Sequence, residues 1–115
     1  VYRWREIVSR ILRDEANSRG PAWGYGASTK AGTMLQFLGE PYCFHAVADR
    51  NPLKHGKYMA NRLKITSEED MRASAPKMVV PFIWAFREEI LEREKTIREL
   101  GTTFFFPLPN PELVL

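Results

Sequence analysis

The residues whose types and spacing could do chemistry begin with Trp23-Gly24-Tyr25-Gly26-Ala27-Ser28-Thr29-Lys30. An apolar start, two glycines separated by one residue, then small hydroxylated residues and a lysine read as a strand, a tight turn and a helix. Glycine lets the backbone turn sharply and come close to a ligand. The helix that follows aims its unpaired N–H groups and positive dipole end at the same place. The chemistry this offers is the grip on an anion or a polar edge. Gly24, Gly26, Ala27, Ser28, Thr29 and Lys30 form the candidate contact set.

Two further groups belong with it. Asp49 stands at the end of an apolar run, and the stretch 50–64, RNPLKHGKYMANRLK, follows. That stretch carries Arg50, Lys54, Lys57, Arg62, Lys64 and His55 and no acid, while Pro52, Gly56 and the asparagines oppose regular structure. It is either a ligand-facing basic loop at a strand's carboxyl end or a solvated loop. Trp84 follows a third apolar run and serves either as a stacking wall for a flat ring or as a core tryptophan. The dinucleotide fingerprint G-x-G-x-x-G with an acid about 20 residues on is met by Gly24, Gly26 and Asp49, but Thr29 occupies the third glycine position. A Walker loop fails on spacing. Ser28, His55 and Asp49 contain the residue types of a hydrolytic triad, with nothing in the spacing that selects them. His45 lies in an apolar run and reads as a core or edge histidine rather than a metal ligand. Glu68-Glu69 and Glu88-Glu89 are neighbours on helices and diverge, so they read as surface charge.

The elements that must position these residues follow from periodicity. Trp4, Ile7, Val8, Ile11 and Leu12 make one apolar stripe and predict a helix over 2–18, ended by Gly20-Pro21. A strand over 22–25 leads into the glycine turn. Ser28 or Thr29 caps a helix to about Leu38, which Gly39-Glu40-Pro41 stops. A strand over 44–48 ends at Asp49. Thr66 and Glu69 have capping-box spacing and open a short helix to about Ala73. Lys77–Phe82 reads as a strand buried on both faces. One long helix then runs to Leu100, with Phe86, Ile90, Leu91, Ile97 and Leu100 inward and its Glu and Arg residues outward. Gly101 ends that helix, and 103–106 is the fourth strand. The alternation predicts an α/β layer sandwich with a mostly parallel sheet of about four strands, and residues 110–115 as a tail.

At 115 residues the chain has room for one core. A net charge of +3 does not argue for nucleic acid, and no apolar run approaches the roughly 20 residues that span a bilayer. Cys43 is the sole cysteine, which excludes an internal disulfide and suits a reducing cytoplasm. The chain opens on Val1 and enters a helical pattern at once, as expected of a piece of a longer protein.

Four ordered stretches resemble one family, the C-terminal domain of bacterial sugar C-methyltransferases. Gly24-Tyr25-Gly26-Ala27-Ser28-Thr29-Lys30 resembles its glycine turn, and Asp49-Arg50-Asn51-Pro52-Leu53-Lys54-His55-Gly56-Lys57-Tyr58 its D-R-N-P-x-K-x-G-x-Y segment. Pro81-Phe82-Ile83-Trp84-Ala85-Phe86-Arg87-Glu88-Glu89-Ile90 resembles its P-W-N-F-x-x-E-I segment, with Ala85 in place of the asparagine, and 101–109 its closing turn. The resemblance implies a Rossmann-like domain over 20–109, with 1–19 as a helix that packs on it or links to it. It implies a three-part enzyme in which a zinc-binding domain and an S-adenosylmethionine-dependent methyltransferase domain lie upstream. This domain would position a nucleotide-linked sugar or similar substrate through Gly24, Gly26, Ala27, Ser28, Thr29, Lys30, Asp49, Arg50, Lys54, Tyr58 and Trp84. No catalytic residue and no metal ligand is expected within it. The alternative is a stand-alone nucleotide-, dinucleotide- or coenzyme A-binding module.

Overall fold

A computed structural model describes residues 2–38, 43–59, 62–81, 86–108 and 111–114. The first element, α1 (Tyr2–Ser18), lies on one face of the sheet. Val8 and Leu12 are fully buried, and Trp4 and Ile11 flank them. The Trp4 indole N–H donates to the Pro107 carbonyl at 2.8 Å, which ties the helix to the other end of the chain. Ile7, expected in the stripe, is exposed. The buried line runs Val8, Leu12, Glu15, and one residue is a turn of about 100° away from it. Glu15 is sheltered on this line by a two-pronged ion pair with Arg19, at 2.8 and 2.9 Å.

Among the described residues the sheet has six strands, in the order β3 (Ile65–Ser67), β2 (Phe44–Asp49), β1 (Ala22–Tyr25), β4 (Met78–Pro81), β5 (Thr103–Phe106), β6 (Glu112–Val114). The four expected from sequence are β1 (Ala22–Tyr25), β2 (Phe44–Asp49), β4 (Met78–Pro81) and β5 (Thr103–Phe106). The pairs β1–β2, β1–β4, β2–β3 and β4–β5 are parallel. Two three-residue edge strands raise the count from four to six. The first, β3 (Ile65–Ser67), continues the basic loop, and β6 (Glu112–Val114) runs antiparallel to β5 in the segment read as a tail. Three residues are too few for an alternation pattern, so pairing to a neighbour is what makes them strands.

Helices cover both faces. On one, α1 and α2 (Thr29–Leu38) enclose Val8, Leu12, Ala31, Leu35, Val47, Val80 and Phe105. On the other, α3 (Glu68–Ser74), α4 (Arg87–Arg93) and α5 (Lys95–Glu99) enclose Trp23, Tyr25, Met71, Val79, Ile90, Ile97, Phe104 and Phe106. The N-cap of α3 is Ser67, one residue later than expected: its hydroxyl accepts from the Asp70 N–H at 3.0 Å, while the Thr66 hydroxyl donates to Asp70 Oδ2 at 3.1 Å. The single long helix expected to reach Leu100 is two, parted at Glu94, whose backbone sits at φ −99° and ψ 22°. Ile90, Leu91 and Ile97 point inward, but Phe86 and Leu100 are exposed and Glu94 is buried. The stop at 39–41, Phe82 and Trp84 lie outside the described residues. No helix among the described residues is long and apolar enough to cross a membrane.

Candidate functional site

The strand order reverses at β1, with β2 on one side of it and β4 on the other, and the carboxyl ends of β1 and β2 lie beside that point. In open α/β sheets such a point opens into a crevice. Here a cleft of about 290 Å³ lies beside Tyr25 and Gly26 of the first turn, Asp49 and Arg50 at the end of β2, and Glu68 of α3. Phe86, Glu89 and Arg93 close it from the α4 side.

The glycine turn forms as expected, but its polar groups face inward. Gly26 takes φ 90°, which a side chain would resist, and its N–H donates to the Ala48 carbonyl at 2.8 Å. The Ala27 N–H donates to Asp49 Oδ2 at 2.7 Å, and the Asn51 N–H to Asp49 Oδ1 at 2.8 Å. Each carboxylate oxygen thus accepts one main-chain N–H, and Asp49 staples the turn to the following loop. Lys54 Nζ donates to the Ala27 carbonyl at 2.9 Å and stands 3.9 Å from Asp49 Oδ2. The imidazole of His55 meets the Asp49 carbonyl through Nε2 at 2.7 Å. A carbonyl only accepts, so Nε2 carries the hydrogen. The residue types of a triad are therefore near one another, but His55 is bonded to the main chain of Asp49. Ser28 Oγ accepts the Ala31 N–H at 3.1 Å and caps α2.

Gly24 has a packing role. A Cβ there would sit 3.1 Å from Val47 Cγ2, within the layer between β1, β2 and the α1–α2 face. The backbones of Thr29 and Lys30 open α2, and their side chains lie outside the described set. Tyr58 is exposed and bridges Lys64 antiparallel, in a basic loop that turns through Pro52–Lys54 and folds back on itself. Of the expected set, Gly26, Asp49 and Arg50 line the cleft. Ala27 and Lys54 are bonded to each other, and Ala27 to the cleft-lining Asp49, while Trp84 lies outside the described residues.

Over residues 1–109 the sequence matches the C-methyltransferase C-terminal domain family. The chain belongs to that family. It is also 30% identical over 112 residues to the C-methyltransferase NovU of Streptomyces niveus, a match covering 96% of this chain and 26% of that protein. The chain thus spans about a quarter of the length of this relative.

In this C-methyltransferase C-terminal domain the other wall of the cleft, where Glu68 and Arg93 line it, is backed by a charged network that sequence reasoning had placed on the surface. Glu94 is fully buried and accepts from the Tyr25 hydroxyl at 2.8 Å. Arg72 grips both its oxygens, Nε to Oε1 and Nη2 to Oε2, each at 2.8 Å. Arg72 Nη2 also donates to Glu68 Oε1 at 3.1 Å, and Arg93 Nη1 stands 3.9 Å from Glu68 Oε2. Glu68 is therefore a buried wall residue, not the surface charge its neighbour Glu69 is.

The electrostatics follow. Burial pushes the Glu94 carboxyl up, but hydrogen bonds from Arg72 and Tyr25 and the nearby guanidinium charges outweigh it, so it titrates below the usual carboxylate range. Burial, with the bond to anionic Glu94, pushes the Tyr25 phenol far above its ordinary value. The hydrogen bond to Glu94 likewise holds the Arg72 guanidinium charged. The readable signal was position: Glu94 falls four residues after Ile90 and three before Ile97, on the inward line of the helix. Among the described residues no group of three His, Cys, Asp or Glu side chains is placed to hold a metal ion.

Proposed function

We propose that this domain holds the methyl acceptor, a nucleotide-linked sugar or a similar molecule, for an S-adenosylmethionine-dependent C-methyltransferase whose catalytic part lies outside these residues. The cleft at the reversal of strand order carries the reading. It gathers charged side chains, an exposed aromatic edge at Phe86 and the close backbone approach of Gly26. The strand order β3-β2-β1-β4-β5 supports a Rossmann-like ancestry for the sheet. S-adenosylmethionine, and any zinc of such an enzyme, would be held by other parts of the protein. The 1–19 helix and the 20–109 body then act as one cytoplasmic substrate-holding unit. Its contribution to rate is positional: a fixed acceptor reaches near-attack geometry without further loss of freedom.

Phe86→Ala in the full-length enzyme tests the reading. Phe86 is half exposed, so the fold tolerates its loss. The KM for the acceptor should rise several-fold, on the scale of one lost aromatic contact of about 1 kcal/mol, while the KM for S-adenosylmethionine holds. An unchanged acceptor KM refutes a substrate role for the cleft.

A further inference from the structure

Among the described residues, the cleft wall contains an arginine to which no hydrogen-bond acceptor is offered. Glu94 is satisfied by Arg72 and Tyr25, and Arg72 spends a further N–H on Glu68. Arg93 is left with Glu68 Oε2 at 3.9 Å, which is charge compensation without a hydrogen bond. Its guanidinium carbon stands 6.0 Å from the centroid of the Tyr25 ring, at the edge of cation–π range. Among the described residues nothing offers Arg93 an acceptor within hydrogen-bond distance. Its side chain is largely sheltered, 28% exposed, and it lines the cleft with a second cation, Arg50. A planar fork of unspent donors in a sheltered cleft suits the tetrahedral oxygens of a phosphate. The turn amides of Gly26 and Ala27, which would otherwise hold an anion, already donate within the chain.

We propose that Arg93, with Arg50 beside it, is the anion-binding element of this cleft, that it takes a phosphate or diphosphate group, and that Glu68 is its resident counter-ion, displaced when the ligand enters. This rests on the reading of the cleft as a binding site and adds the residues that do the gripping. No covalent step is involved.

Calorimetric titration of inorganic pyrophosphate into the protein at about 0.15 M ionic strength, where exposed charges are screened, tests it. Wild type should bind saturably. Glu68→Gln keeps the side chain's shape and removes the competing charge, so binding should tighten on the order of tenfold. Arg93→Met should weaken it on the order of tenfold, and Arg93→Lys by less, since lysine keeps the charge but not the fork. Lys77→Met, an equal change of net charge at an exposed position before the amino end of β4, should leave it within about twofold, since exposed charges are screened. Circular dichroism checks that each variant is folded. A merely structural Glu68 would give a variant that binds more weakly or the same, and that result overturns the proposal. So does an Arg93→Met titration that matches Lys77→Met, or the absence of saturable binding. Uridine diphosphate titrated in parallel names the source of the anion. Binding tighter than pyrophosphate marks an ester whose ring meets the cleft wall, equal binding marks the bare anion, and both uphold Arg93. The Phe86→Ala kinetics are independent: an unchanged acceptor KM with intact pyrophosphate binding removes the substrate reading and leaves the anion site.

Discussion

Glu94→Ala is the perturbation with the largest expected effect on stability. Glu94 is a fully buried carboxylate with three hydrogen bonds, two of them from a guanidinium. Removing one partner of a buried ion pair costs about 3–5 kcal/mol, because the other charge is left uncompensated. Arg72 keeps a third of its side chain in solvent and a second partner in Glu68, so part of its charge is re-solvated and the lower end of that range applies. The Tyr25 hydroxyl, left without an acceptor, keeps the effect from falling below about 3 kcal/mol. For a domain of this size that corresponds to a melting point lower by roughly 12 °C. Glu94→Gln, which preserves an acceptor for Tyr25, should cost about half as much. Glu92→Ala, two residues away and exposed, should stay within about 0.5 kcal/mol of wild type.

Urea unfolding across pH gives the sharper reading. The Glu94 pKa is lowered on folding, so its contribution is present above the ordinary carboxylate value of about 4.3 and lost as pH falls through the folded value. The Tyr25 pKa is raised, so its contribution is full below about 10 and lost as pH rises beyond that. The gap between wild type and Glu94→Ala should therefore be flat from about pH 5 to 9 and narrow at both ends. A gap below about 1 kcal/mol at neutral pH refutes the buried network. So does a gap that persists unchanged to pH 3, well below the ordinary value at which the unfolded-state carboxylate takes up its proton.

Two further outcomes follow from the opposite wall. Gly24→Ala brings a methyl to 3.1 Å of Val47 Cγ2, so overpacking should outweigh the entropy gained and destabilise by about 1 kcal/mol. Pairing it with Val47→Ala should restore more than about 0.5 kcal/mol relative to additivity, and an additive pair refutes the contact. Lys54→Ala frees the Ala27 carbonyl and the loop beyond it, so amide hydrogen exchange over 50–58 should accelerate, and unchanged exchange there refutes the clamp.

Those elements that were readable from sequence are the ones whose signal is periodic or sterically forced. The 2–18 helix, the four longer strands and the glycine turn each have several residues voting for one conformation. The edge strands at 65–67 and 112–114 have three residues each, and only a neighbour's pairing decides them. The wall of the cleft was missed for a different reason. Charged residues on a helix were assigned to its outer face by type, whereas position assigned Glu94 inward, on the line through Ile90 and Ile97. Glu15 repeats the pattern after Val8 and Leu12 and is sheltered by Arg19 in the same way. An acid on an apolar line, with arginines in the chain to meet it, is therefore a signal worth weighing above residue type. Glu68 needed the tertiary structure, since only the Arg72–Glu94 pair shows why a carboxylate sits there.

The two walls also explain why a glycine turn followed by an acid at roughly the fingerprint distance need not make a dinucleotide site. That site requires turn amides free to meet a pyrophosphate and a carboxylate free to meet a ribose. Here the Gly26 and Ala27 amides and both oxygens of Asp49 are joined to the chain itself, with Lys54 closing the staple. That part of the turn's backbone is scaffold. On the proposed reading of the cleft, recognition comes from side chains on the facing wall, which are set by α3 and α4 rather than by the turn. Two domains can therefore share this turn and strand order while differing at positions 68, 86 and 93, and the ligand should follow those positions. Exchanging these three residues for those of a relative with another acceptor should move acceptor preference without moving stability. A preference that stays put while the glycine turn is the only feature in common would return recognition to the turn.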